Sequence, residues 1–194
     1  MLKEKIILIG GGGHCKSVID VIESQNRFEI AGIVDKQERF GQKVLGYDVI
    51  ASDEQLDELF HQYKYAVITV GQLRSVDTRI ALFETLKRIG FELPVITSPR
   101  AYVSKHAQVD EGTVVMHDVL INAGAIIKEN CIINSKALIE HDAIINENCH
   151  ISTSAVINGG VIVEKNCFVG SNVVTKQYIT IKENSFIKAG SLQV

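Results

Sequence analysis

From Val103 to Ile187 every sixth residue is β-branched. The series is Val103, Val109, Val115, Ile121, Ile127, Ile133, Ile139, Ile145, Ile151, Ile157, Val163, Val169, Thr175, Ile181 and Ile187, so fourteen of fifteen are Val or Ile. An α-helix repeats near 3.6 and an uninterrupted strand at 2, so a strict period of six belongs to a chain that turns after each short strand. Four residues after each of these, most side chains are small, as at Ala107, Ala125, Cys131, Ala137, Ala143, Cys149, Ala155 and Cys167. One branched and one small side chain per side fill a narrow triangular interior at normal packing density, whereas two large ones would not fit. The pattern predicts a parallel β-helix with three sides, hence three hexads to each coil.

A second period supports that coil length. Asp110-Glu111-Gly112, Lys128-Glu129-Asn130, Asn146-Glu147-Asn148, Glu164-Lys165-Asn166 and Lys182-Glu183-Asn184 recur at every third hexad, which stacks five corners in one column. At the usual strand spacing, five coils make a rod roughly 24 Å long. Gly or Asn at the third place suits a corner that demands positive φ. Cys131, Cys149 and Cys167 are then stacked interior residues with no chemical role.

The first half has a different grammar. Apolar runs alternate with helical spacing: a strand over 6–9, glycines at 10–13, a helix over 14–24, a strand over 28–34, a short helix over 56–60, a strand over 65–70 and a helix over 79–89 closed by Gly90. This predicts a small Rossmann-like α/β domain with a parallel sheet over residues 1–99, followed by the β-helix over 100–194. The glycine run departs from a dinucleotide fingerprint, because Cys15 occupies the place of its third glycine. It still sets open backbone before a helix N-terminus, which suits a phosphate.

Composition narrows the function classes. The net charge of −3 with 22% charged residues argues against both a disordered tail and a basic nucleic-acid footprint. No apolar run is long enough to span a bilayer, so the expectation is a soluble, cytoplasmic protein whose four cysteines are free thiols. The residue before each hexad aliphatic points outward, yet Val114, Leu120, Ile132, Leu138, Val156 and Phe168 stand there. So much apolar surface predicts association with further subunits, or cover from the first domain.

The hexads resemble the left-handed β-helix acyltransferases, whose handedness is an exception to right-handed crossovers. With Gly10, Gly11, Gly12, Gly13 and His14 opening the chain, the whole resembles the branch that holds bacterial sugar-nucleotide N-acetyltransferases and related sialic acid O-acetyltransferases. The resemblance implies acetyl-CoA as co-substrate, no metal, a homotrimer with the donor held between neighbouring rods, and a nucleotide-sugar acceptor used in glycan biosynthesis. It also implies a catalytic histidine, and Glu140-His141-Asp142 matches that motif. An imidazole titrating near neutrality can take a proton from an attacking amine, with Asp142 or Glu140 accepting from its other nitrogen.

The neighbouring Gly159 and Gly160, one coil later, allow a backbone N–H to approach the thioester oxygen, and a tight corner explains them equally well. By the same resemblance Gly170, Ser171 and Asn172 continue the wall along acetyl-CoA, and Gly10, Gly12, Gly13 and His14 meet the acceptor nucleotide. Asp35, at the end of the second strand, is a candidate acceptor for a base or ribose, with Gly71 and Arg79 as weaker contacts. His150 stands in an apolar column, where a packed interface histidine is one reading, and by resemblance it touches the acceptor sugar. His117-Asp118 repeats the histidine motif four hexads earlier, on another corner, and reads as a solvated pair. Lys176, Lys182 and Lys188 recur every six residues and are candidates for the donor's phosphates, and a solvated charged rim explains them equally well. Two alternatives to amino-sugar acetylation stay open: O-acetylation of a sialic-acid-type sugar, and a non-catalytic nucleotide-binding scaffold.

Overall fold

The computed structural model describes residues 3–72 and 75–194. The chain divides into two compact units, Met1–Ile96 and Thr97–Val194.

In the first unit, β1 (Glu4–Ile9), β2 (Phe28–Val34), β3 (Lys43–Val44), β4 (Tyr47–Ala51) and β5 (Tyr65–Ile68) form one sheet in the order β3-β4-β2-β1-β5. All pairings are parallel except β3 with β4. Both faces of the central strand are covered, so Ile6 to Ile9 form a continuous apolar run with at most 1% exposure instead of an alternating one. Helix α1 (Gly13–Gln25) buries Cys15, Val18, Ile19, Val21 and Ile22, and Asn26 stops it in the left-handed region. Helices α2 (Leu56–Phe60) and α3 (Asp77–Ile89) follow the predicted spacing, and Gly90 caps α3 at φ 112°. The β3–β4 hairpin was invisible to periodicity, because two-residue and five-residue strands broken by Gly46 carry too few alternations to register.

The second unit is the expected triangular solenoid. Its first face stacks Tyr102–Val103, Leu120–Ile121, Leu138–Ile139, Val156–Ile157, Val174–Thr175 and Leu192–Gln193. The second stacks Gln108–Val109, Ile126–Ile127, Ile144–Ile145, Ile162–Val163 and Thr180–Ile181. The third carries Val114–Val115, Ile132–Ile133, His150–Ile151, Phe168–Val169 and Phe186–Ile187. Each residue pairs with the one a full coil later, as Ile139 does with Ile157. Hexad aliphatics from Val115 to Val169 are wholly buried, and the small partners between them are at most 1% exposed.

The corners obey one backbone rule. Every sixth residue from 112 to 190 has positive φ, between 57° and 76°. In one column these are Gly112, Asn130, Asn148, Asn166 and Asn184, and the asparagine amides bond rung to rung at 2.8, 3.2 and 3.1 Å. Asparagine tolerates this conformation because its short polar side chain bonds locally.

The outward apolar column is exposed in part, with Tyr102 at 61%, Leu120 at 39%, Val174 at 38% and Leu192 at 66% on the first face. On the third face Val114 and Ile132 are instead fully buried.

All four cysteines are free and buried. Desolvation pushes the Cys15 thiol up to about 11, so almost none of it is the reactive thiolate at neutral pH. Because all four thiols are 0% exposed, native protein at pH 8 should show no fast-reacting thiol toward a colorimetric disulfide reagent, and four after denaturation. A rapid native burst of one or more equivalents would contradict the packed interior.

Candidate active site

Corner geometry builds the site on the edge between the first and second faces. His141 and Asp142 leave the strand Leu138–Ile139 there, and a chain turning out of a buried rung must send both side chains outward. His141 and Asp142 are 48% and 71% exposed in their side chains, and imidazole Nδ1 lies 2.9 Å from Asp142 Oδ2. That contact directs Nε2 away from the carboxylate. One rung on, a Cβ at Gly159 would sit 2.6 Å from His141 Nε2, so only glycine leaves room for the ring. The rung is tied by backbone, Gly160 N–H donating to the His141 carbonyl at 3.0 Å and Tyr178 N–H to the Gly159 carbonyl at 3.1 Å.

Glu140 does not meet the ring. Its Oε2 accepts from Asn122 Nδ2 at 2.9 Å and from the His141 backbone N–H at 3.3 Å. The expectation of Glu140 as an alternative partner of the imidazole is corrected, because Asp142 follows His141 through the corner while Glu140 points back along the preceding rung. Asn122, one coil before Glu140, was missed, although the coil register names it directly.

His117-Asp118 has the same dipeptide and a different fate. Ser98 Oγ lies 2.7 Å from His117 Nδ1, and Arg100 holds Asp118 with two bonds at 3.1 and 2.7 Å.

Several expected contacts fall elsewhere on the prism. Gly170, Ser171 and Asn172 stand on the edge between the third and first faces, so they cannot line a groove beside the His141 of their own chain. Gly170 is a packing glycine, since a Cβ would lie 2.5 Å from the Ala189 backbone N, and Ser171 Oγ pairs with Ser152 Oγ at 3.0 Å. His150 lies on the third face, opposite the His141 edge. It is 5% exposed, edge-on to Phe168 at 5.1 Å, with Nε2 3.3 Å from Asn134 Nδ2. In the single chain the ring is packed, the first of the two readings of this residue. Lys176 stands on the His141 edge, whereas Lys182 and Lys188 stand on the other two, because a spacing of six moves each to the next edge, and Lys182 pairs with Glu164 at 3.6 Å.

In the first unit the glycine turn is organised by Asp35. Gly10 takes φ 105°, and its N–H donates to the Val34 carbonyl at 2.7 Å. Asp35 Oδ2 accepts from Gly11 N–H at 2.9 Å and from Arg39 Nη1. Asp35 Oδ2 thus shapes the turn, while Oδ1 accepts from the Lys36 N–H at 2.8 Å. Gly12 caps α1 without a side-chain bond, the first turn has no acidic residue, and nothing stands within 4 Å of a Cβ at Gly12 or Gly13. His14 follows on the first turn, with its Cβ 3.5 Å from the Cβ position of Gly71. Arg79 is 1% exposed and donates Nη1 to the Ile68 and Val70 carbonyls at 2.9 and 3.1 Å. It fastens the end of β5 and is not presented to a nucleotide, which corrects that expectation too.

Among the described residues, no group of three or more His, Cys, Asp or Glu could hold a metal ion, and no helix is long and apolar enough to cross a membrane.

Comparison with known proteins accords with this architecture. The PglD N-terminal domain model matches residues 5–86, and the hexapeptide repeat of succinyl-transferase matches 143–175 and 160–192. A perosamine N-acetyltransferase from Caulobacter crescentus, solved with CoA and GDP-perosamine, is 30% identical with a TM-score of 0.92, over 98% of this chain and 88% of that one, and PerB from the same organism is 31% identical with a TM-score of 0.91 over the same shares. The chain belongs to the left-handed β-helix sugar-nucleotide N-acetyltransferase family. A second relative of this family, the acetyltransferase domain of PglB from Neisseria gonorrhoeae, is 28% identical with a TM-score of 0.91, over 99% of this chain and 92% of that one. The same domain has been solved with acetyl coenzyme A, at 27% identity and a TM-score of 0.69 over 98% and 96%. Comparison with curated protein sequences gives no match. Family membership makes this an acetyl-CoA-dependent sugar N-acetyltransferase.

The Gly159 contact yields a test. Gly159→Ala should preserve folding yet displace the imidazole and lower turnover by about 10²-fold, the typical size of a lost acid–base contribution. Wild-type turnover in this variant would show that the ring does not need that space.

Proposed function

We propose that this chain transfers the acetyl group of acetyl-CoA to the amino group of a nucleotide-linked amino-deoxy sugar, with His141 as general base. The observation that carries this reading is the imidazole held by Asp142 over a glycine rung. As the amine nitrogen attacks the thioester carbon, its proton passes to His141 Nε2. Asp142 stabilises the imidazolium, since a carboxylate on the far nitrogen favours the charged ring. The Gly159 N–H is the donor for the oxygen that becomes negative. The C–S bond then breaks, the amide forms, and CoA leaves as its thiol.

The acceptor's diphosphate rests on the N-terminus of α1 at Gly12 and Gly13, where uncapped N–H groups and the helix dipole favour an anion. Gly10 and Gly71 give the loop its shape, and His14 faces the sugar-nucleotide. A GDP-linked sugar is the first candidate, by likeness to the Caulobacter enzyme solved with GDP-perosamine.

The active assembly is a homotrimer in this reading. Two observations support association: apolar residues exposed along the first face, and the placement of Ser171 and Asn172 on a different edge from His141. A second copy brings those residues to the donor without altering the rod. Four buried, free thiols accord with the reducing cytoplasm.

His141→Ala should reduce turnover by at least about 10²-fold with the oligomer intact by light scattering. An unchanged rate would remove His141 from the mechanism. With acetyl-CoA and a panel of acceptors, amino sugars should react and hydroxyl-only sugars should not. Among GDP- and UDP-linked amino sugars, the true acceptor should raise the melting temperature by linkage. A panel in which only sialic-acid-type hydroxyls react would replace N-transfer by O-transfer.

A further inference from the structure

The edge that carries His141 holds one residue for which neither the coil geometry nor the interior packing accounts. Tyr178 occupies a corner at φ 58°, where L side chains are crowded against their own backbone, and it is the only aromatic at positive φ among the described residues. The other positive-φ corners of this column are Gly124, Asp142 and Gly160, residue types suited to the conformation. The fold imposes positive φ at every corner, and a bulky aromatic is an unusual residue to meet it, which makes the ring itself the feature to explain. Packing does not reward it, since Tyr178 is 73% exposed.

The ring has a definite place nonetheless. Its Cδ1 and Cε1 occupy the space that a Cβ at Gly160 would need, so the phenol lies across that glycine. The adjacent Gly159 carries the imidazole from the opposite direction, His141 leaning forward from one rung and Tyr178 leaning back from the other. Successive Cα atoms stand about 3.8 Å apart, so the two rings occupy neighbouring places on one bare turn. A thioester that reaches His141 Nε2 along this edge has the phenol face beside it.

We propose that Tyr178 is the aromatic wall against which the acyl-thioester end of acetyl-CoA packs. The inference rests on the reading of His141 and Gly159 as the reacting end of the site. The ring contributes apolar contact area with only two torsions to fix, and Gly160 is bare so that it can lie flat.

The test is acetyl-CoA binding to the intact protein, measured by calorimetry, with melting temperature and oligomeric state followed in parallel. Tyr178→Gly should weaken acetyl-CoA about tenfold, equivalent to about 1.4 kcal/mol. Its melting temperature should be unchanged or higher, because glycine relieves the positive φ, and the oligomer should persist. Tyr178→Phe should stay within about twofold of wild type, since the ring and not the hydroxyl makes the contact. Wild-type affinity in Tyr178→Gly would overturn the proposal. So would a Tyr178→Phe defect as large as that of the glycine variant, or a Tyr178→Gly protein that loses stability and assembly together, which would make the ring a structural prop. The wider reading fails separately: if wild type binds no acetyl-CoA, or if His141→Ala turns over normally, the mechanism falls whatever Tyr178 does.

Discussion

Parallel pairing one full coil apart is the constraint from which the rest of the second unit follows. Each rung donates its backbone N–H groups to the next, as Leu138 does to Ala155 at 2.9 Å and Glu140 to Ile157 at 2.9 Å. That ladder holds only if the chain turns through the same corner every six residues, and every corner from 112 to 190 does so through one residue at positive φ. The interior then has room for one branched and one small side chain per side. Removing one branched group, as in Ile139→Ala, would be expected to cost about 2–5 kcal/mol, because neighbouring rungs cannot collapse into the space.

The same ladder makes side chains on an edge near neighbours at a separation of one rung, and the site exploits this. A bulky side chain on one rung requires a bare place on an adjacent one. His141 has Gly159, and Tyr178 has Gly160. A corner that folds easily would use asparagine throughout, as the column of Asn130, Asn148, Asn166 and Asn184 does with its amide ladder. The His141 edge gives up that ladder for glycine, aspartate and tyrosine. The edges of one prism are thus built differently, with amides bonded rung to rung on one and an imidazole and a phenol laid over glycines on another.

The first unit shows a related division. Asp35 Oδ2 joins Gly11 and Arg39, and these contacts fix the glycine turn, with Gly12 and Gly13 open at the start of α1. Arg79 does similar work at the other side of the strand ends, spending its charge on the carbonyls of Ile68 and Val70. Both residues look functional in a sequence because they are polar and lie near a glycine loop. In the fold Arg79 donates to backbone carbonyls, and Asp35 Oδ2 accepts from Gly11 and Arg39.

The sequence alone determined the rod, its coil length, its interior and its corner residues, because a six-residue period leaves one repeating solution that buries every branched side chain. It also determined that His141 and Asp142 stand on an edge, and register arithmetic alone would have added Asn122 and Gly124, which lie one coil before Glu140 and Asp142. Tertiary structure decided what those edges present. The bond from Asp142 and not Glu140 to the imidazole, the burial of His150 against Phe168, and the contacts of Asp35 and Arg79 all depend on which side chains meet across rungs or strands. The reason is that periodicity records which way a residue points, whereas a partner is set by distances between segments that the pattern of hydrophobic residues does not encode.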